Sequence, residues 1–389
     1  MPIETTFGSD FLSVAWPLLL QACSPARDPA KISAVAAEVR DEESLFRLAD
    51  EHGVIAHLAA ALSTVPDGRL PTALLESLRS RHRSQLLFTL SMTAELFRIL
   101  ELFRKSQIES MVVKGPVLSL RAYGDPAARQ YVDLDLLVRH GDIRRAAEML
   151  IAAGYESRVP AAAIRAGRIP GEYLFRRPNT NIIFELHTED SFRYFPMPLP
   201  IENYFQRRVF LPLDGQQVPA LSVEHELVFI AIHGAKHFWE RLMWISDVAA
   251  MVHNRSQLNW KNVRQAAAEV GAERMVRVAL LLSERLLGVR VPEDMKNDVL
   301  NDSSCSRLVD KIEERLPYAG SAAASIGERA WFRFRTCGNV FSGAAYLARL
   351  SFSTTEDDWA PDAEATSPFA EGLRRPFRLA RKYRRNADS

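Results

Sequence analysis

The segment Tyr131-Val132-Asp133-Leu134-Asp135-Leu136-Leu137-Val138 constrains this chain more than any other. Apolar and acidic residues alternate along it, and in a β-strand every second side chain shares a face. The alternation predicts Val132, Leu134 and Leu136 in a core. It sets Asp133 and Asp135 together on the opposite face, about 7 Å apart at ~3.3 Å per residue. Two carboxylates so placed repel each other and resist burial without a counter-charge. A divalent cation supplies that charge, and Mg²⁺ suits hard oxygen ligands and nucleotide phosphates alike. An edge strand with one solvated acidic face is the alternative.

The flanking segments favour a phosphate site. Ser110-Met111-Val112-Val113 reads as a short buried strand. Lys114-Gly115-Pro116 follows, and proline suits the first turn of a helix. A strand-end lysine, a glycine and a helix N-terminus together offer an anion a cation, close backbone approach and a favourable dipole. That helix is expected to end near Tyr123-Gly124-Asp125-Pro126, with Arg129 between the turn and the acidic strand. Further on, Asn181-Ile182-Ile183-Phe184-Glu185-Leu186-His187 alternates again and sets Glu185 beside His187 on one face. Lys114 and Arg129 are candidates to neutralise phosphate, against a plain strand-end lysine and a structural ion pair. His187 either orients Glu185, touches substrate, or is a satisfied structural histidine.

These residues carry a resemblance. Lys114-Gly115, Tyr123, Asp125-Pro126, Arg129, Asp133-x-Asp135-Leu136-Leu137-Val138 and Glu185-Leu186-His187 look like the bacterial uncharacterised nucleotidyltransferase family, within the polymerase β-like superfamily. The stretch Leu227 to Asp247, with His233, His237 and Asp247, resembles the helical region after the catalytic domain there. Arg375-Pro376-Phe377-Arg378-Leu379 resembles a recurring C-terminal element. The resemblance implies Mg²⁺ or Mn²⁺ on Asp133, Asp135 and Glu185, and ATP or another nucleoside triphosphate as co-substrate. It also implies Glu185 as an aid in deprotonating an acceptor hydroxyl. The superfamily usually carries Gly-Ser after its first strand. Here Lys114-Gly115 stands in that place, as in the family itself, which leaves a nucleotide-binding or scaffold protein without turnover as the alternative function. Gly8-Ser9-Asp10 lies far from the acidic strand and is a chance match.

The resemblance implies an α+β fold: a polymerase β-like core with a mixed sheet, flanked by N-terminal and C-terminal helical subdomains. The expected divisions are 1–106 helical, 107–215 catalytic core, 216–350 helical, and 351–389 an acidic loop with a basic tail. In the first part, Leu74 to Lys105 sets Leu96, Phe97, Leu100 and Phe103 at helical spacing. Asp142 is placed to cap a helix running to Ala153, with Gly154 after it. Residues 155–180 hold Pro160, Pro170 and Pro178 and read as an insertion or flap. His233 and His237 stand one helical turn apart. Without the glutamate of H-E-x-x-H they read as cleft-lining polar residues, with Lys236, Arg241 and Asp247 nearby, rather than as a zinc pair.

Composition excludes more than it identifies. With 389 residues and 47% hydrophobic content the chain can bury a large core. A net charge of +1 gives no global attraction for nucleic acid. Three separated cysteines argue against a disulfide framework and for the reducing cytoplasm. Phe11 to Ala22 is too short to span a bilayer, so no transmembrane segment is expected. Glu356, Asp357, Asp358, Asp362 and Glu364 precede a basic tail over 374–389. That tail is a candidate contact for RNA, anionic lipid or an acidic protein, or else a solvated helix paired with the protein's own acids.

Overall fold

Five helices precede the sheet: α1 (Ser9–Cys23), α2 (Pro29–Ala36), α3 (Glu42–Glu51), α4 (Ile55–Leu62) and α5 (Thr72–Lys105). The computed structural model describes residues 7–66, 68–160, 164, 172–254, 258–318, 324–353 and 372–378. Asp28 and Asp41 start α2 and α3 by accepting backbone N–H groups of the first turn, which have no partner inside the helix. α5 buries Met92, Leu96, Ile99 and Phe103 along one stripe, with Phe97 and Leu100 packed at its margin.

Seven strands follow: β1 (Ser110–Val113), β2 (Asp133–Val138), β3 (Glu156–Ser157), β4 (Glu172–Arg176), β5 (Ile183–His187), β6 (Val209–Leu213) and β7 (Gln216–Ala220). Their spatial order is β3-β4-β5-β2-β1-β7-β6. β2 runs antiparallel to β1 and parallel to β5, so the sheet is mixed and the class α+β. The acidic strand is therefore interior, which overturns the edge-strand alternative. The strand begins at Asp133, not earlier. Val132, expected in the core, is 58% exposed because it lies just before the first ladder residue. The last strand runs to Ala220, beyond residue 215.

Among the helices between and after the strands, α6 (Gly115–Tyr123) and α7 (Ile143–Ala152) pack on the sheet. Asp142 precedes α7 but makes no side-chain cap, since its carboxylate accepts from Arg145 instead. Part of the segment expected to be an irregular insertion forms β3 and the interior strand β4; residues 161–163 and 165–171 lie outside the described residues. After α8 (Ile201–Gln206) come α9 (Val223–Lys236), α10 (Leu242–Asn254), α11 (Trp260–Glu269), α12 (Glu273–Leu287), α13 (Glu293–Leu300), α14 (Ser303–Arg315), α15 (Ile326–Arg335) and α16 (Val340–Phe352), and residues 372–378 are also helical. No helix among the described residues is long and apolar enough to cross a membrane.

Each sheet face buries its own apolar layer. Val112, Leu134, Leu136, Phe184 and Leu186 join α5 and α7. Met111, Val113 and Leu137 join the layer built by α1–α4 and α9–α12. Alternation puts Asp133 and Asp135 on the Leu137 face, so the carboxylates look toward the helical layer and into its seam with the sheet.

Candidate active site

Backbone register assembles the acidic group. Asp135 lies opposite Val113 of β1 on one side and Glu185 of β5 on the other, and Leu137 opposite His187. Two neighbouring strands, β2 and β5, thus bring Asp135, Glu185 and His187 together. One ligand atom from each falls within 4.8 Å of the others. Asp133 stands two residues before Asp135, on the same face, and is half-buried.

The turn after β1 delivers a cation to this group. Lys114 has φ 61° and ψ −142°, a backbone region that glycine visits and L side chains rarely do. Gly115 follows with φ 51°, and an added Cβ would meet only Leu134, at 3.9 Å. Conformation rather than space requires the glycine there. The turn sends the Lys114 ammonium to 2.8 Å from Asp135 Oδ2. His187 Nε2 lies 3.0 Å from Asp135 Oδ1 and 3.2 Å from Glu185 Oε2. Its Nδ1 lies 3.3 Å from Ser191 Oγ, and its ring stacks on Phe192 at 5.1 Å.

Charge is unevenly distributed in this cluster. Burial and the neighbouring Asp135 carboxylate push Asp133 up to about 6. Burial opposes ionisation of Asp135 too, but Lys114 and the His187 hydrogen bond outweigh it and hold that carboxyl well below the usual range. For His187, burial is outweighed by hydrogen bonds to Asp135 and Glu185, which raise it to about 9, so the ring is a cation at neutral pH. Burial likewise disfavours the Lys114 charge, yet Asp135 and Asp133 keep it raised.

A cleft of about 470 Å³ opens over Lys114, Gly115, Arg129, Asp133 and Asp135. Its far wall is helical. His233 and His237 contribute from α9 and the turn after it, their ring centroids 4.7 Å apart and 5.4 and 5.0 Å from the Trp244 ring. Burial and nearby lysines hold His233 well below its ordinary value and His237 down to about 2, so both rings are neutral. Arg241 lines the cleft as well, whereas Lys236 packs its ammonium over the Tyr194 ring, 4.1 Å from the centroid. Glu185 and His187 stand beside Asp135 but not on the cleft wall. Asp247 is also set back: its Oδ2 accepts from Arg129 Nε at 2.8 Å and its Oδ1 from the Tyr123 hydroxyl at 3.0 Å. Arg129 is thus both a cleft residue and a buried ion-pair partner.

Sequence reasoning missed Glu51, Gly53, Gln130 and Glu240, which line the same cleft. Buried atoms Glu51 Oε2, Gln130 Oε1 and His233 Nδ1 have no hydrogen-bond partner there. Gln130 adjoins the motif and was within reach of a closer reading; Glu51 comes from the end of α3 and has no local signal. In the basic tail, Arg375 is buried and donates to the carbonyls of Leu350 and Ser351. Arg381, Lys382, Arg384 and Arg385, and the acidic residues 356–364, lie outside the described residues.

A family model described as uncharacterised nucleotidyltransferase matches residues 38–288. The chain belongs to this nucleotidyltransferase family. The match begins before α3 and ends after α12, so it covers the sheet, the acidic cluster and both cleft-lining helices. A crystal structure of an antigenic nucleotidyltransferase-like protein from Paracoccidioides brasiliensis is similar at 16% identity and TM-score 0.32, over 54% of this chain and 96% of that chain. No curated protein matches the sequence.

Proposed function

We propose that this nucleotidyltransferase transfers a nucleoside monophosphate, AMP from ATP, to the hydroxyl of a small-molecule, sugar, protein or RNA acceptor, with Mg²⁺ or Mn²⁺. The observation that carries the reading is the gathering of Asp133, Asp135 and Glu185 on one sheet face, with the two aspartates opening onto a cleft that Lys114 and Arg129 also line. The donor set fits a hard divalent ion: carboxylate oxygens from three positions, with Asp135 and Glu185 close enough to share it. Asp133, Asp135 and Glu185 would hold the ion. When bound, it supplies positive charge to the phosphates during in-line displacement.

The chain's own groups have distinct tasks. Glu185, oriented by His187 Nε2, accepts the proton of the acceptor hydroxyl. The acceptor oxygen then forms its bond to the α-phosphorus as the bond to pyrophosphate breaks, and pyrophosphate leaves. Lys114 and Arg129 face the phosphates and offset their charge. Arg129 keeps its aim because Asp247 holds its Nε from behind. Cys23, Cys305 and Cys337 are unpaired, which supports a reducing, cytoplasmic setting.

One observation favours a second reading. Lys114 and His187 already offset Asp135, so the cluster has internal counter-charge and suits a nucleotide-binding protein without turnover. Mg²⁺-dependent transfer of label from α-³²P-labelled ATP into a product, with unlabelled pyrophosphate leaving and cell extract as acceptor source, separates the two. Transfer is expected to fall about a thousandfold or more, about 4 kcal/mol in barrier, in the Asp133→Asn/Asp135→Asn protein. Full activity in that variant would place the chemistry elsewhere.

A further inference from the structure

A second cavity of about 420 Å³ lies behind the catalytic cleft and shares no lining residue with it. Tyr123 forms part of its wall. The Tyr123 hydroxyl donates to Asp247, and Asp247 holds Arg129 at the cleft. The two cavities therefore stand on opposite sides of one hydrogen-bonded partition. Nothing in the transfer chemistry uses the rear one.

Its lining is chemically unfinished. His57 of α4 is 4% exposed, and neither ring nitrogen has a hydrogen-bond partner. Its ring meets Tyr123 edge-on at 5.1 Å, which fixes its orientation. Buried polar atoms of native proteins nearly always find a partner, so two orphans on one ring point to an occupant. Arg27, in the turn after α1, lines the same cavity and makes no ion pair among the described residues. Arg27 and His57 are thus walls of the same cavity. His82 of α5 adds a third nitrogen-bearing side chain. The carboxylate on the lining, Asp125, is exposed and already accepts the backbone N–H of Ala127. Small apolar groups such as Ala60 make up much of the remainder.

We propose that the rear cavity binds a small oxyanion, a carboxylate or a phosphate, with the Arg27 guanidinium carrying its charge and a His57 ring N–H donating to it. Guanidinium suits both anions because its forked N–H groups match their paired oxygens. A cavity of this size accommodates a ligand of a few heavy atoms with an apolar body. Ordered water is the competing occupant, and it would satisfy His57 without answering the unpaired charge of Arg27.

Calorimetric titration of the full-length protein with inorganic phosphate and, separately, with propionate tests this at neutral pH in a buffer free of both. One of the two ions is expected to bind with one-to-one stoichiometry, and which one identifies the source chemistry. Binding should weaken at least tenfold in Arg27→Met, at a half-buried position, and in His57→Phe, which keeps the ring volume. It should be unchanged in Lys114→Ala, which alters only the catalytic cleft. Absence of binding by either ion, or equal affinity in Arg27→Met, overturns the proposal. Loss in Lys114→Ala with retention in Arg27→Met also overturns it, by placing the ion in the cleft. None of these outcomes depends on nucleotidyl transfer.

Discussion

Two kinds of buried charge lie in the seam between sheet and helices. Arg129 with Asp247, and Arg121 with Glu226, are closed pairs: one guanidinium, one carboxylate, at 2.8 and 2.5 Å, each group nearly inaccessible. The cluster at the end of β1 is open. It sets the carboxylates of Asp133, Asp135 and Glu185 against the cations Lys114 and His187. Asp135 takes contacts from both cations, and Asp133 is left as the carboxyl that burial pushes up. A closed pair is neutral as a unit and mainly fixes geometry. An open cluster retains an unmet demand for positive charge, which is what a metal site needs before the metal arrives. Arg129 joins the two, because its closed pair holds a cation at the rim of the open cluster.

Breaking the closed pair tests this division most severely. Asp247→Ala leaves Arg129 buried without its carboxylate and removes one of the two acceptors of the Tyr123 hydroxyl, leaving Ser246 Oγ. Loss of one partner of a buried pair costs about 3–5 kcal/mol. The urea midpoint should fall accordingly, with nucleotide affinity falling as Arg129 loses its aim. Replacing both residues together, Arg129→Met/Asp247→Leu, should restore most of the stability but not the affinity. If the double variant regains nucleotide binding, Arg129 is structural alone.

Such long-range pairings were the part of the site least legible in the sequence. Asp133, Asp135 and Glu185 could be singled out because a period of two in apolar residues marks a strand and exposes any acid that breaks its chemistry. The α+β class was implied by the family resemblance, and the strand and helix spacings agreed with it. Asp247 was visible as a polar residue in a helical stretch. That it answers Arg129, 118 positions away, is a fact of packing with no local pattern. Val132 continued the alternation perfectly well, yet it is exposed because the ladder with β5 starts one residue later. Periodicity finds a strand but leaves its ends to its neighbours. Asp142 failed as a cap for a similar reason: a single turn of 3-10 helix precedes α7 and redirects its carboxylate to Arg145.

The open cluster can be probed through the backbone of Lys114. A lysine at φ 61° and ψ −142° carries strain of order 1–3 kcal/mol, retained for the ammonium it delivers to Asp135. Lys114→Gly and Lys114→Ala both remove that ammonium and differ mainly in strain. The glycine variant is expected to be the more stable by about 1–3 kcal/mol, a reversal of the usual cost of glycine. Both should lose nucleotide binding equally. An alanine variant as stable as the glycine one would mean that the turn relaxes without cost and that Lys114 is not held under strain.

His57 is a third case, a buried titratable group with neither a closed partner nor an open cluster. Burial, with Arg27 and Arg129 adding to it, lowers its pKa from 6.5 to about 3. The sign follows from proton counting. Above pH 6.5 the ring is neutral in both folded and unfolded chains and contributes nothing to pH dependence. As pH falls from 6.5 toward 3, the unfolded chain takes up a proton that the native ring refuses, so stability is lost across that window. Between pH 7 and 5.5 the loss from this one ring is about 1.3 kcal/mol. Urea denaturation of wild type and His57→Phe at both pH values, in buffer free of carboxylate and phosphate, reads it directly. The stability difference between the two proteins should shift by that amount in favour of the phenylalanine variant as pH drops. Parallel behaviour would mean that His57 is protonated or solvated in the native state. It would then belong with the open cluster, because a charged ring beside Arg27 demands a counter-ion of its own.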